Sequence, residues 1–176
     1  MMDVIKSKHT ALFLCIVVLM TSNLVSESVA QDISDAALLK DASGDELQKV
    51  ISSYTGDKAV LVNVWATWCA PCIEEFPYIV DLQRTYQDEL QVIFVSADFP
   101  DQRANALAFL REQNVDWTTY FKTGKDQPFI EALSNDWSGA LPFTKVLTKD
   151  GDVVGRWEQG ADYYKFERYI KKAINN

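Results

Sequence analysis

The sequence is poor in the residues that carry most enzyme chemistry, because its 176 residues include one histidine and three cysteines. Seven glycines and five prolines are too few for a collagen-like or low-complexity chain. Basic residues are outnumbered, with 17 against 25 acidic residues and a net charge of −8. A surface of that sign repels a phosphate backbone, so we expect no nucleic-acid partner. Hydrophobic residues still make up 48% of the chain, which indicates a globular fold of about one domain.

The first thirty residues have the pattern of a secretory signal peptide. A basic start that includes Lys6 and Lys8 precedes an apolar run over residues 11–20, and small residues follow at 28–30. This order is typical of a segment that is cleaved during export. We therefore predict a mature domain over residues 31–176 and a periplasmic or otherwise extracytoplasmic location.

An uncleaved membrane anchor is the alternative interpretation of the same segment. A spanning helix needs roughly 20 apolar residues. Here the polar residues 21–23 interrupt the apolar run, and further polar residues follow at 26–28. The length rule therefore favours cleavage over anchoring.

Cleavage would remove His9 and Cys15, so the mature domain would contain no histidine and two cysteines. A Ser-His-Asp triad, a Cys-His protease and a histidine general base are then excluded. Zinc needs about four protein ligands, usually Cys and His, so two thiols cannot hold it unless chains share a site. We expect no cofactor and no metal.

The order of the predicted elements indicates an α/β fold with a mainly parallel sheet and one antiparallel edge. Apolar runs over residues 59–65 and 90–97 predict two buried strands. An Asp-Gly pair between the apolar runs 143–147 and 153–157 predicts a hairpin. The remaining predictions are helices over 43–54, 102–113, 129–133 and 162–174, a helix with Pro71 in its first turn that ends at about residue 86, a short strand over 118–121 and a loosely ordered lead-in over 31–42.

Cys69 and Cys72 lie where a predicted buried strand meets a predicted helix, and they are the chemical centre of the sequence. Covalent haem attachment is excluded because Ile73, not histidine, follows Cys72. A structural disulfide remains open, although closing so small a loop removes little chain entropy. The spacing favours a redox-active pair.

The helix gives the two cysteines different predicted roles. Unpaired backbone N–H groups and the helix dipole point at Cys69, which lowers the pKa of its thiol below the free value of about 8.5. Cys69 is therefore the predicted nucleophile, and Cys72, one turn further along, resolves the mixed disulfide. Ala70 and Pro71 add no cation to stabilise a thiolate, so we predict a reductant rather than a strong oxidant.

Residues 65–77 read WATWCAPCIEEFP and resemble the active-site signature of the TlpA/ResA-like branch of the thioredoxin superfamily. That signature is W-C-x-P-C-x-x-E-x-P, and the sequence has every fixed position. The resemblance covers about residues 43–175. It implies a thioredoxin-like fold, in which helices flank a central mixed β-sheet, with a mid-domain insertion. It also implies an extracytoplasmic thiol-disulfide oxidoreductase, often one that reduces apocytochrome c or other exported proteins.

The resemblance assigns further site residues. Glu75 matches the family's buried acidic residue, whose raised pKa would let it relay the Cys72 proton; an exposed acid near the helix N-terminus is the alternative. Pro142 matches the cis-proline opposite the cysteines, where Leu141 would offer its backbone to a substrate chain; an ordinary trans bond at the start of a strand is the alternative. We also expect Trp68 to lie beside the disulfide as part of an apolar docking surface, with core packing as the alternative.

Asn63 departs from thioredoxins proper, which carry a buried aspartate at this place. The departure moves the acid–base role to Glu75. Trp137 is a candidate for lining the substrate groove, and residues 98–101 and 124–126 are predicted surface loops at its rim.

The leading function is reduction of disulfides in exported proteins. A membrane thiol protein would have to supply electrons, since a secreted reductase cannot draw directly on cytosolic thioredoxin. A disulfide oxidase or isomerase, and a non-catalytic binding module with a structural disulfide, are the alternatives. A peroxidase is weakest, because Ala66 rather than threonine stands three residues before Cys69.

Overall fold

A computed structural model of the protein describes residues 35–176. The predicted signal peptide, its cleavage site and the alternative anchor lie outside these residues. Leu38–Asn176 forms one compact unit, and of the other unit, Met1–Ala37, the described residues 35–37 are helical. Within the described part of the chain, no helix has the length and apolar character needed to cross a membrane.

Within residues 35–176, six strands form one mixed sheet. They are β1 (Leu39–Ala42), β2 (Ala59–Trp65), β3 (Leu90–Ser96), β4 (Thr119–Lys122), β5 (Phe143–Leu147) and β6 (Val153–Glu158). Their order in the sheet is β1-β4-β3-β2-β5-β6. The first four of these are parallel, and β5 and β6 are antiparallel to their neighbours, so the predicted mixed α/β architecture is confirmed.

Helices cover both faces of the sheet. They are α1 (Gly44–Ser52), α2 (Ala70–Thr85), α3 (Arg103–Glu112), α4 (Asp126–Leu133) and α5 (Tyr163–Ile174). Helices α2, α3 and α5 pack on one face, and α1 and α4 pack on the other. Strand β4 and helix α4 occupy the mid-domain position at which the insertion was predicted.

Strand β2 runs through the centre of the molecule and is buried along its whole length. Because side chains alternate along a strand, Val60, Val62 and Val64 face the α1 side of the sheet. Leu61 and Trp65 face the α2 side. This two-sided burial explains the uninterrupted apolar run, and it directs the end of β2 towards the start of α2.

The predicted hairpin is confirmed between β5 and β6. The Thr148 N–H donates to the Asp152 carbonyl at 2.9 Å, and Gly151 has a φ of 90°. Glycine reaches this left-handed backbone conformation without a steric penalty. The Asp-Gly signal therefore located the turn correctly.

The prediction of a loosely ordered lead-in is wrong for its last four residues. Leu39–Ala42 forms strand β1 and pairs in parallel with β4. Leu39 and Ala42 are buried, whereas the intervening Lys40 and Asp41 are exposed. This four-residue segment is apolar only at its two ends and polar at its two central positions. It therefore lacks the alternation of apolar and polar residues by which a strand is predicted, and periodicity could not identify this edge strand.

Helices α1 and α4 are in close contact at Gly44. A Cβ added there would lie 2.6 Å from the Ala132 Cβ and 3.2 Å from the Phe129 Cα. We expect Gly44→Ala to lower the free energy of unfolding by about 1–3 kcal/mol, because the two helices must move apart. Urea denaturation measures this change. Ser52→Ala on the exposed end of α1 is the control, with an expected change within about 0.5 kcal/mol, and an equal effect of both substitutions would contradict the close packing.

Candidate active site

Cys69 and Cys72 form a disulfide bond at the N-terminus of α2, with Cα atoms 5.2 Å apart. Cys69 is the N-cap, and its carbonyl accepts the Ile73 N–H at 3.1 Å, the first hydrogen bond of the helix. Pro71 lies in the first turn, where a missing N–H leaves no helical bond unmade. Cys69 is 6% exposed and Cys72 is 1% exposed, so both residues are buried and Cys69 is the more exposed of the two.

The turn before Cys69 is fastened to the end of β3 by Asp98. The Cys69 N–H donates to the Ala66 carbonyl at 3.1 Å. The Thr67 N–H and hydroxyl donate to Asp98 Oδ1 at 3.0 and 2.6 Å, and the Ser96 hydroxyl donates to Oδ2 at 2.9 Å. Asp98 is 5% exposed, so the prediction of a surface loop is wrong for this residue. Its donors come mainly from a turn 31 positions earlier, a pairing that local sequence does not reveal.

Trp68, which immediately precedes Cys69 in the sequence, forms an exposed aromatic pair with Phe99. Their rings are stacked with centroids 6.3 Å apart, and the residues are 54% and 62% exposed. Core packing of Trp68 is therefore wrong. Phe99 was not singled out as a site residue by the sequence, although an aromatic side chain inside a polar loop is the signal that could have identified it.

A cavity of about 840 Å³ opens beside this aromatic pair. Trp68, Phe99 and Leu141 line it together with Phe129 of α4 and with Trp137, which the sequence placed at such a groove. Its volume lies in the range typical of binding pockets. Trp68, from the turn before Cys69, and residues of β4 and α4 therefore line one cavity. Its wall is mainly apolar, includes charged side chains such as Arg103 and Lys122, and contains neither cysteine.

The Leu141–Pro142 peptide bond is cis, as expected from the resemblance. Pro142 is buried immediately before β5, and its carbonyl accepts the Gln159 N–H at 3.2 Å. Leu141 is half-buried and packs against the apolar clusters on both faces of the sheet. Leu141 thus belongs both to the cavity wall and to the segment that enters β5.

Glu75 is buried beneath the disulfide-bearing turn of α2, with 2% of its surface exposed. Burial raises the pKa of its carboxyl to about 7, against two hydrogen bonds that lower it. Asn63 Nδ2 donates to Oε1 and the Ala161 N–H donates to Oε2, each at 2.9 Å. The alternative of an exposed acid is therefore wrong for Glu75, whereas its neighbour Glu74 is exposed.

The fold explains why Asn63 and Glu75 meet. Asn63 lies between Leu61 and Trp65 on the α2 side of β2, and it also donates to the Thr144 hydroxyl at 3.1 Å. Its neutral amide supplies a donor to the carboxylate without adding a charge. This arrangement is consistent with the prediction that Glu75 on α2, rather than the residue at position 63 on β2, has the acid–base role.

A loop between β6 and α5 covers Glu75 and was not identified from the sequence. Its Gln159 N–H contacts Pro142, and its Ala161 N–H contacts Glu75. Gly160 lies between them, where an added Cβ would be 3.3 Å from the Pro71 Cβ. The loop therefore joins the cis-proline segment, the first turn of α2 and the buried acid.

The site combines a disulfide at a helix N-terminus with the buried Glu75 carboxyl, whose pKa is raised to about 7 by burial. Such a set can exchange disulfides and move one proton. Among residues 35–176, no group of three or more His, Cys, Asp or Glu side chains is placed to hold a metal ion.

Comparison with known proteins agrees with this chemistry. The Redoxin family profile matches residues 25–165. The thioredoxin-like protein YneN of Bacillus subtilis (strain 168) is 44% identical over 54 residues, which is 29% of this chain and 32% of that protein. The thiol-disulfide oxidoreductase ResA of Bacillus thuringiensis (strain Al Hakam) is 28% identical over 116 residues, 65% of this chain and 63% of that protein. The chain thus spans less than two thirds of the length of either relative.

Among solved structures, a thiol:disulfide interchange protein of the thioredoxin family from Chlorobium tepidum TLS is similar to this chain. The TM-score is 0.61 at 26% identity, and the match covers 70% of this chain and 84% of that one.

Proposed function

Because the chain belongs to the Redoxin family, as a TlpA/ResA-like member of the thioredoxin superfamily, we propose that it is an extracytoplasmic thiol-disulfide oxidoreductase that reduces exported proteins. The observation that carries the proposal is the Cys69–Cys72 disulfide at the N-terminus of α2, with buried Glu75 three residues after Cys72. The predicted signal peptide supports the location.

The reaction begins with the reduced protein. The Cys69 thiolate attacks one sulfur of the substrate disulfide, so that an S–S bond forms to Cys69 and the second substrate sulfur leaves as a thiolate. Cys72 then gives its proton to the Glu75 carboxylate, and the Cys72 thiolate attacks the Cys69 sulfur. The substrate leaves with two electrons and takes up two protons, while Cys69 and Cys72 become the disulfide.

The environment of Glu75 suits the transfer of a proton. A group with a pKa of about 7 populates both protonation states near neutral pH, which is the condition for efficient general acid–base catalysis. At the ordinary pKa of glutamate, 4.5, the carboxylate would be a much weaker base and would take the Cys72 proton less readily. Desolvation therefore equips Glu75 to act as the relay.

The substrate's polypeptide segment next to its cysteine is the proposed occupant of the apolar cavity. Trp68 and Phe99 expose aromatic surface beside Cys69, and Leu141 continues that surface towards β5. Disulfide-bearing exported proteins present such segments before they fold. Apocytochrome c belongs to this substrate class by resemblance, and a membrane thiol protein is the proposed electron donor.

The direction of electron flow is tested by the reduction potential of the cysteine pair. Because Ala70 and Pro71 supply no cation to stabilise the reduced form, we expect a value closer to the roughly −270 mV of thioredoxin than to the roughly −120 mV of DsbA. Equilibration in dithiothreitol redox buffers, followed by alkylation of free thiols, measures it. A potential near that of DsbA would contradict the reductase and favour the oxidase alternative.

A further inference from the structure

We propose that Asp98 is a positioning residue for the redox reaction, because it fixes the turn that carries Trp68 and Cys69. Strands β2 and β3 are parallel neighbours, so their carboxyl ends lie side by side. Thr67 follows β2 and Asp98 follows β3, which brings the turn and the carboxylate together. The inference deepens the proposed function and rests on it.

The contacts of Asp98 form a bracket, by which we mean the hydrogen-bonded group of Ser96, Thr67 and Asp98. The Thr67 N–H lies 3.0 and 3.2 Å from the two carboxylate oxygens, and the Thr67 hydroxyl lies 2.6 Å from Oδ1. The Ser96 hydroxyl donates to Oδ2 and accepts the Asp98 N–H. Hydrogen bonds to a carboxylate are stronger than neutral ones, and a buried donor left without an acceptor is destabilising.

Main-chain hydrogen bonding also joins the end of β2 to the segment that follows β3. The Ala97 N–H donates to the Trp65 carbonyl at 2.8 Å, and Trp65 pairs with Ser96 in the sheet register. The pairing of β2 with β3 ends at Trp65 and Ser96, and beyond it the Thr67 N–H and hydroxyl are bound by Asp98. Thr67 is therefore the residue through which the end of β3 fixes the position of the turn that follows β2.

Two functional features depend on the position of this turn. The first is the stacked pair, since Trp68 follows Thr67 and Phe99 follows Asp98, so that one bracket aligns both rings. The second is Cys69, whose thiolate is stabilised by the helix N-terminus only while the residue remains the N-cap of α2. A loosened turn should weaken both protein docking and thiolate formation.

Kinetics with Asp98→Ala and Asp98→Asn provide the first test. We expect Asp98→Ala to lose roughly tenfold in kcat/KM for insulin reduction, because the lost hydrogen bonds leave Thr67 unanchored. Asp98→Asn should stay within roughly threefold of the parent, because its amide oxygen still accepts the Thr67 N–H. Asn substitution of the exposed Asp116 is the control for the change in net charge. Parent-like activity of Asp98→Ala would overturn the proposal.

The pH dependence of alkylation of the reduced protein separates positioning from a merely structural role. We expect the midpoint for Cys69 to rise in Asp98→Ala towards the free-thiol value of about 8.5 and to stay unchanged in Asp98→Asn. A lower melting temperature with an unchanged alkylation profile would overturn the proposal. A midpoint that falls in both variants would also overturn it, since the charge alone would then be acting.

Substitutions of Thr67 keep the proposal testable if Asp98→Ala does not fold. Thr67→Val preserves shape without the hydroxyl and should lose roughly threefold in kcat/KM, whereas Thr67→Ser should retain parent activity. Adding Thr67→Val to Asp98→Asn should give non-additive effects, because the two side chains share one contact. Strict additivity would contradict the bracket. If the parent reduced no protein disulfide, the proposed function would fail, while the alkylation profiles would still decide the role of Asp98.

Discussion

A Cys69→Ser variant is expected to lose catalysis of insulin reduction entirely and to leave only the uncatalysed rate of dithiothreitol. Serine cannot form the mixed disulfide, and Cys72, one turn further into α2, is the less exposed of the two cysteines. The turbidity that develops as reduced insulin chains precipitate measures the rate. Equal turnover of variant and parent would show that the disulfide is a structural staple.

The complementary Cys72→Ser variant is expected to stop at the mixed disulfide. Cys69 remains at the N-cap of α2 and still attacks, but no second thiol releases the substrate. A non-reducing gel should show the covalent complex, and mass spectrometry should identify its partner and the linked cysteine. The double serine variant is the control and should trap nothing. Trapping by Cys69→Ser but not by Cys72→Ser would reverse the assigned roles.

Sequence reasoning was sufficient where local pattern and structure coincide. The two-sided burial of β2 produces an unbroken apolar run, and the Asp-Gly turn of the hairpin needs one residue with positive φ. Cys69 lies at the start of α2 because Pro71 fits a first helical turn. These features are encoded by residues within a few positions of one another, so the fold class and the redox pair could be predicted.

The parts that could not be predicted depend on residues far apart in the chain. Strand β1 is recognisable only through its pairing with β4, and the burial of Asp98 depends on Thr67. The loop around Gly160 approaches Glu75 because the sheet and α5 bring it there. Burial of a carboxylate cannot be read from spacing alone, and for Glu75 the resemblance to a family supplied what periodicity lacked.

Replacing Glu75 with glutamine is expected to slow release of the mixed disulfide by about 10²-fold or more, the range typical of general acid–base catalysis. Glutamine has nearly the same shape, but its amide cannot take the Cys72 proton. Quenched single-turnover experiments should show the mixed disulfide accumulating, with its formation by Cys69 little changed. Glu74→Gln, which alters an exposed neighbour by the same chemistry, is the control and should release substrate at the parent rate. Equal release rates in both variants would contradict the relay.

The same substitution should flatten the pH dependence of stability in the oxidised protein. Burial raises the pKa of Glu75 from 4.5 to about 7, so the folded state retains a proton that the unfolded state releases between these values. The resulting stabilisation is fully present below pH 4.5 and is lost as pH rises through 7. The shift corresponds to about 3 kcal/mol.

Urea denaturation at pH 4.5 and pH 8 isolates this contribution, because Glu75→Gln removes it and leaves the other titrating groups in place. The fall in unfolding free energy between the two pH values should be smaller in Glu75→Gln than in the parent by up to about 3 kcal/mol. Glu74→Gln should keep the parent's fall. If Glu75→Gln fell as steeply as the parent, the buried carboxyl would titrate at its ordinary pKa. The proton relay would then lose its physical basis, because a carboxylate with a pKa of 4.5 is too weak a base to take the proton of the Cys72 thiol efficiently.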